Sequence, residues 1–160
     1  LKSLLKQYIR ISFIPKILIL TGKPSDFTDF QRRAKIFSYS VEDLIHFDQE
    51  LKELELKRQE AEKNQEFLKE RYIIIADEFH FLENEPEIQK SLYNLVRTGR
   101  SQKITIFLCS QSGLSSQFKH LNINMVSTKI CVGRPESLAL AHSLFGQNAD
   151  SIFFNRIPQG

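Results

Sequence analysis

Residues 72–78 read Tyr-Ile-Ile-Ile-Ala-Asp-Glu, a run of five mostly apolar side chains followed by two carboxylic acids. An unbroken apolar and β-branched run of this length predicts a strand buried on both faces, here over Arg71–Asp77. In parallel α/β sheets, ligands bind beyond the carboxyl ends of the strands. Because a strand end is rigid, Asp77 and Glu78 would be held in a fixed position relative to whatever binds there.

Two adjacent carboxylates at a strand end suit phosphoryl transfer. P-loop ATPases place there an Asp that holds the Mg²⁺ shell and an adjacent acid that orients or deprotonates the attacking water. The pair Asp77-Glu78 therefore fits a Walker B motif. The alternative is a strand that enters solvent through two acids without a chemical role.

A second apolar strand, predicted over Lys103–Ser110, ends in the polar amide of Gln111. In the same architecture, the strand end beside Walker B carries a polar residue that can contact the γ-phosphate or its water. Gln111 is therefore a candidate nucleotide sensor. Its alternative role is that of an ordinary loop residue.

Helices and continuously apolar strands alternate along the rest of the chain. This pattern indicates an α/β fold, a mostly parallel sheet with helices on both faces, in a single domain over residues 1–160. Ser40 should cap a long charged helix together with Asp43, and a surface helix is favoured over a coiled coil because Arg58 and Gln65 interrupt its apolar stripe. The predicted elements are a helix over Leu1–Ser12, strands over Lys16–Leu20 and Lys35–Tyr39 around a loop at Thr21–Phe30, helices from Val41 to about Lys69 and over Glu87–Thr98, a strand over Met125–Val132 and a helix over Glu136–Phe145.

Composition excludes several classes of protein. The 160 residues are 41% hydrophobic and 26% charged, which is ordinary for a soluble globular domain and excludes a disordered or collagen-like chain. The net charge of +3 is too small to indicate nucleic acid by itself. Cys109 and Cys131 form neither a disulfide framework nor a metal-ligand spacing, which favours a reducing cytoplasm. No apolar run approaches the roughly 18 residues of a membrane-spanning helix, so a membrane anchor is expected only outside this segment.

A phosphate-binding loop is not found in the sequence. Gly22-Lys23 is a candidate, but Gly-x-x-x-x-Gly-Lys-Ser/Thr would need Gly at position 17 and Ser or Thr at position 24. The chain has Ile17 and Pro24 at these positions. Because a helix followed by a strand is what comes after a P-loop, we expect that loop just upstream of Leu1.

Two arginines lie near the predicted end of a helix at Gly99. Arg97 and Arg100 should therefore be exposed at the helix C-terminus. Their ordinary role is to interact with the helix dipole. The alternative is an arginine finger that reaches the phosphate bound by a neighbouring subunit.

In order and spacing, these features resemble the FtsK/SpoIIIE-type DNA translocases and the related coupling ATPases of conjugation, over essentially the whole chain. The chain departs from the family at Thr21-Gly22, where Asp-Pro is usual, and at Ser112-Gly113, where Arg-Pro is usual. The matching segments are Leu1–Leu5 after Walker A, Lys16–Leu20 with its following turn, the charged helix, Walker B at Tyr72–Glu78, Leu95–Arg100, the strand end Leu108–Gln111, and a closing strand and helix from Asn124 to Gly146.

This resemblance implies a RecA-like P-loop ATPase core without its first strand and P-loop, active with ATP and Mg²⁺ only in the full-length protein. Asp77 would be the Mg²⁺-shell aspartate and Glu78 the catalytic glutamate. Arg100 would act in trans, between subunits of a ring that is expected to be a hexamer. The implied substrate is double-stranded DNA, in conjugative transfer or chromosome partition.

Direct sequence evidence for DNA binding is limited to scattered basic residues. Lys119 and His120, in the polar segment Ser112–Leu121, are candidates for contact with DNA or with another subunit, since pore loops touch backbone phosphates with few charges per subunit. An ordinary surface loop is the alternative. Two other functions stay open: a type VII secretion-like ATPase that moves protein, and a non-hydrolysing interaction module, against which the acid pair at the strand end argues.

Overall fold

Parallel strands and helices alternate in the computed structural model, which describes residues 15–98, 102–110, 119–121, 125–126, 128 and 141–142. This confirms the predicted α/β class. Two short 3₁₀ helices, Pro24–Phe30 and Phe79–Leu82, follow the first and third strands. The other elements are β1 (Lys16–Thr21), β2 (Ala34–Ser38), α1 (Val41–Lys63), β3 (Tyr72–Ala76), α2 (Pro86–Thr98) and β4 (Ile104–Leu108).

The strands form one sheet in the order β2-β1-β3-β4, and each neighbouring pair is parallel. Their carboxyl ends therefore meet at one edge. Ala76, the last residue of β3, is in register with Leu20 of β1 and Leu108 of β4. The residues that follow each strand are consequently brought together, and these include the predicted acid pair.

The sheet is buried on both faces, as its continuously apolar strands predict. Within β3, Ile73 to Ala76 are fully buried and Tyr72 is nearly so. On one face, Ile74 belongs to a core cluster with apolar residues of α1 and α2. On the other face, Ile73 packs with Phe27 and Phe30 of the first 3₁₀ helix. The loop predicted at Thr21–Phe30 thus contains a helical turn that covers the sheet.

Helix α1 begins as predicted and ends earlier than predicted. The Ser40 hydroxyl accepts the Asp43 N–H at 3.2 Å, which is the expected N-cap. The prediction that the helix continues to about Lys69 is wrong, because the chain turns at Gln65, which adopts a left-handed φ of 58°. The Glu66 and Gln65 N–H groups bond back to the Ala61 and Glu62 carbonyls, a Schellman ending that commonly uses glycine.

Several predicted elements lie partly or wholly outside the described residues. The helix over Leu1–Ser12 lies outside them entirely. Of the helix over Glu136–Phe145, the two described residues, Ala141 and His142, are helical. Of the strand over Met125–Val132, the three described residues are not in a strand, and Met125 lies in a 3₁₀ turn. Among the described residues, no helix is both long and apolar enough to cross a membrane.

Candidate active site

Asp77 lies at the carboxyl edge of the sheet, held from the neighbouring strand β1. Its N–H donates to the Leu20 carbonyl at 2.9 Å, which continues the sheet pairing by one step. The hydroxyl of Thr21, a fully buried residue, donates to Asp77 Oδ2 at 3.2 Å and accepts the Lys23 N–H at 3.1 Å. The carboxylate is therefore oriented by a side chain that is itself fixed.

Glu78 follows in a backbone conformation that few residues other than glycine adopt. Its φ of 58° and ψ of 52° are left-handed, and the 3₁₀ helix Phe79–Leu82 begins directly after it. Holding a non-glycine residue in this left-handed region, and not in an ordinary backbone conformation, costs roughly 1–3 kcal/mol of folding free energy. Such strain often occurs at active sites. The conformation is supported from β4, because the Phe79 N–H donates to the Cys109 carbonyl at 2.7 Å and the Phe79 side chain is fully buried.

The Glu78 carboxylate lies against Gly22, in the turn after β1. A Cβ atom added to Gly22 would lie 2.6 Å from Glu78 Oε2 and 3.6 Å from Phe81 Cε2. The first distance is shorter than a non-bonded contact permits. Glycine at position 22 therefore leaves the space that the Glu78 carboxylate occupies.

Tyr39, which follows β2, reaches the same turn from two strands away. Its hydroxyl donates to the Asp77 carbonyl in a short hydrogen bond and lies 3.3 Å from the Glu78 carbonyl. Its ring packs on Phe81, with centroids 4.7 Å apart. Burial, and then the charges of Asp77 and Glu78, raise the pKa of the Tyr39 hydroxyl well above its ordinary value. The group therefore stays protonated and able to donate.

Cys109 directly follows β4, as Asp77 directly follows β3. Its N–H donates to the Ala76 carbonyl at 2.9 Å, and its side chain is partly buried. Burial and the Asp77 carboxylate raise the pKa of the thiol, so it stays protonated near neutral pH. Because a protonated thiol is a poor nucleophile, we expect Cys109 to be unreactive.

Of the other four predicted site residues, the structure describes two. Gln111 and Arg100 lie outside the described residues. Lys119 and His120 are exposed, and the His120 N–H donates to Gln89 Oε1 at 3.2 Å. The Gln89 side chain is fully buried, and its Nε2 donates to the Leu82 carbonyl at 2.6 Å. The structure thus links His120 to the 3₁₀ helix that follows Glu78.

Sequence reasoning missed three contributors to this site, namely Thr21, Gly22 and Tyr39. Thr21 and Gly22 were visible only as departures from the usual Asp-Pro, and Tyr39 only as the last residue of a predicted strand. The useful signal was their position, because each one lies at or just after the carboxyl end of a predicted parallel strand, at the edge of the sheet where Asp77 and Glu78 lie.

The donor set is compatible with a nucleotide-bound Mg²⁺ ion. The described residues contain no group of three His, Cys, Asp or Glu side chains that could hold a metal by themselves. Mg²⁺ in nucleotide sites keeps several waters and needs only one or two carboxylates, the remaining ligands being phosphate oxygens. The partly exposed, hydrogen-bonded Asp77 carboxylate meets that requirement.

No protein-family model matches the chain, and no curated protein matches it in sequence. Among solved structures, the chain is similar to the pCW3 conjugation coupling protein TcpA in its monomer form with ATPγS. The TM-score is 0.67 with 16% sequence identity, and the match covers 82% of this chain and 44% of that one. The chain thus spans less than half the length of that protein.

The likeness shows the fold. A parallel sheet flanked by helices, in the arrangement found in that solved structure, gives this chain part of a RecA-like fold. The predicted fold class is confirmed, and so is the resemblance to coupling proteins at the level of the fold.

Proposed function

We propose that this chain is the Walker B part of an ATP-hydrolysing motor that moves double-stranded DNA. The observation that carries the proposal is the Asp77-Glu78 pair, held at the carboxyl end of a fully buried strand in a RecA-like sheet. The fold likeness to a conjugation coupling protein solved with ATPγS supports nucleotide as the substrate and DNA transfer as the setting.

In this proposal the two acids have separate tasks. Asp77, oriented by Thr21, holds the water shell of the nucleotide-bound Mg²⁺, which would supply charge stabilisation for the phosphates. Glu78 accepts a proton from the water whose oxygen attacks the γ-phosphorus. The bond from that phosphorus to the β–γ bridging oxygen breaks, which releases ADP and phosphate.

Other predicted residues complete the proposal. Gln111 would contact the γ-phosphate or its water, and Arg100 would act on nucleotide bound by the next subunit of a ring. Lys119 and His120 would contact DNA or a neighbouring subunit. Both are exposed, and His120 is hydrogen-bonded to α2, which follows the acid pair in the chain.

The test is Glu78→Gln in the full-length protein. The amide keeps the size of the carboxylate but cannot accept the proton, so we expect retained nucleotide binding and a fall in turnover of about 10²–10⁴-fold. Asp77→Asn should also weaken Mg²⁺-dependent nucleotide binding. Glu83→Gln, which removes a charge five residues further on, is the matched control and should hydrolyse ATP normally. Near-normal turnover by Glu78→Gln would show that the acid pair is not a Walker B motif.

The transported substrate is tested separately, with the wild-type protein. If the motor acts on DNA, double-stranded DNA should stimulate ATP hydrolysis, and the stimulation should weaken as salt rises because phosphate contacts release counterions. ATP hydrolysis without any response to DNA would favour the type VII secretion-like alternative. Nucleotide binding without hydrolysis would favour the interaction module.

A further inference from the structure

Tyr39 connects β2 to the turn that contains Asp77 and Glu78, across the end of β1. In the sheet order β2-β1-β3, the residue after β2 is two strands away from the residues after β3. The Tyr39 side chain spans this distance and donates to the Asp77 carbonyl, with the Glu78 carbonyl 3.3 Å away. These partners are 38 and 39 residues distant in the chain.

The two carbonyls belong to the peptide groups on either side of the Glu78 Cα atom. The orientation of the Asp77 carbonyl sets the plane of the peptide that contains the Glu78 nitrogen, and so constrains the φ angle of Glu78. The Glu78 carbonyl also accepts the Phe81 N–H at 3.0 Å, which closes the first turn of the 3₁₀ helix. A hydroxyl has one proton to donate, and the shorter contact places it on the Asp77 carbonyl.

The turn needs such support because Glu78 is left-handed at a φ of 58°. A glutamate adopts this region only where its surroundings hold it there. The Tyr39 ring is itself held by Phe81, whose ring also lies close to Gly22. Tyr39, Phe81, Gly22 and Glu78 therefore form one contiguous cluster around the catalytic carboxylate.

We propose that Tyr39 is a positioning residue, whose hydroxyl holds the Asp77–Glu78 peptide so that the Glu78 carboxylate faces the nucleotide. The role rests on the proposed ATPase function. Tyr39 acts through the backbone of Glu78 and touches no reacting atom.

The experiment compares Tyr39→Phe with Tyr72→Phe in the full-length protein. Tyr72 is the matched control, because its hydroxyl bonds to Glu70 at 3.3 Å at the opposite end of β3. Both variants keep the ring and lose one hydroxyl. We expect Tyr39→Phe to lower kcat about tenfold with the KM for ATP unchanged, since general-base catalysis depends on geometry while nucleotide binding rests on other groups. Tyr72→Phe should keep the wild-type kcat.

Amide hydrogen exchange gives a second readout that does not depend on activity. In Tyr39→Phe, the Phe79 and Phe81 amides should exchange several-fold faster than in wild type, while those of the β3 core should not change. Wild-type kcat, or wild-type exchange at both amides, would overturn the positioning role. A KM increase that accounts for the whole loss would also overturn it. If the wild-type protein has no Mg²⁺-dependent ATPase activity, the proposed function is overturned instead. The exchange rates of the Phe79 and Phe81 amides would then test only whether Tyr39 holds the backbone of Glu78.

Discussion

Glu78 is constrained at both its backbone and its side chain by residues far away in sequence. Its left-handed backbone is supported through the Asp77 carbonyl and the Phe79 N–H, and its carboxylate lies beside Gly22. At the scale of single residues, the site therefore depends on the strained backbone of Glu78 and on the missing side chain at Gly22. Position 22 is the place to test this, because a methyl group there competes directly with the carboxylate.

We expect Gly22→Ala to displace the Glu78 carboxylate and to lower ATP turnover without preventing folding. Oε2 is the end of a flexible side chain and can move away from the added Cβ, so the change in the free energy of unfolding should be within about 1 kcal/mol. Turnover should fall at least tenfold, as a misplaced base is inefficient. Unfolding curves and steady-state kinetics of the full-length protein measure both quantities.

A double-mutant cycle with Glu78→Ala identifies the cause. If the clash is with the carboxylate, Gly22→Ala should be neutral or stabilising in the Glu78→Ala background, since alanine restricts the unfolded chain more than glycine does. If Gly22→Ala changes the free energy of unfolding equally in the wild-type and Glu78→Ala proteins, the carboxylate does not lie at Gly22.

At the scale of elements, the start of α1 is a local unit joined to β2. Ser40 caps the helix, and the Asp43 carboxylate accepts the Ser38 N–H at 2.9 Å together with the Ser38 hydroxyl. These bonds, first from the Ser38 side chain and then from its backbone, lower the pKa of Asp43. The cap therefore fixes the connection that carries Tyr39 from β2 into α1.

The lowered pKa of Asp43 gives a pH dependence of stability with a definite sign. The folded state favours the carboxylate, so its stabilisation is complete above the unfolded pKa, which is near 4, and is lost as pH falls through the lower folded pKa. We expect Asp43→Asn to lower the free energy of unfolding by about 1 kcal/mol near pH 7, with the difference from wild type shrinking in acid. Urea unfolding at a series of pH values measures this.

Glu42→Gln is the control, because it removes an exposed acid from the same helical turn. It should show little of this pH dependence. A difference between Asp43→Asn and wild type that stays constant down to pH 2 would contradict the assignment.

At the scale of the whole molecule, Gln89 joins segments that are remote in the chain. It is fully buried, donates to the Leu82 carbonyl and accepts the His120 N–H. Leu121, which follows, is buried in the same core cluster as the apolar residues of α1 and α2. The Gln89 side chain thus anchors His120, and with it the exposed Lys119, to the 3₁₀ helix that follows Glu78.

We expect Gln89→Met to loosen this anchor. The substitution keeps the side-chain volume but removes the donor to the Leu82 carbonyl and the acceptor for the His120 N–H, and each lost hydrogen bond contributes about 1 kcal/mol to stability. The His120 amide should exchange faster, and the free energy of unfolding should fall. Ser91→Ala is the control, because Ser91 is buried on the same helix with its hydroxyl 3.4 Å from Asp48 of α1. Equal exchange at His120 in both variants would show that Gln89 does not hold the segment.

The proposed ring makes a further prediction at this scale. Arg100→Ala should lower hydrolysis by about 10³-fold or more with nucleotide affinity intact, as expected for an arginine finger. Mixing it with Glu78→Gln subunits should restore some activity, because mixed rings contain interfaces with both wild-type residues. Arg97, which is exposed in the last turn of α2, is the control, and its loss should have little effect on turnover.

Either of two results would contradict this assignment. The first is a larger loss of turnover from Arg97→Ala than from Arg100→Ala. The second is no recovery in the mixtures once subunit exchange is confirmed.

Within the described residues, the sequence by itself determined most of the strands and helices, together with the acid pair. The apolar run of β3, the carboxylates that follow it and the Ser40 cap all depend on neighbours within a few residues, and local patterns record such contacts. The tertiary structure decided what surrounds Glu78. The contact of Thr21 with Asp77 joins residues 56 apart, and the reach of Tyr39 depends on β1 lying between β2 and β3. Strand order is set by how the sheet packs as a whole, so no short segment encodes these partners. The end of α1 at Gln65 was missed for a related reason, because its turn uses a residue other than glycine and Leu68 then packs into the core.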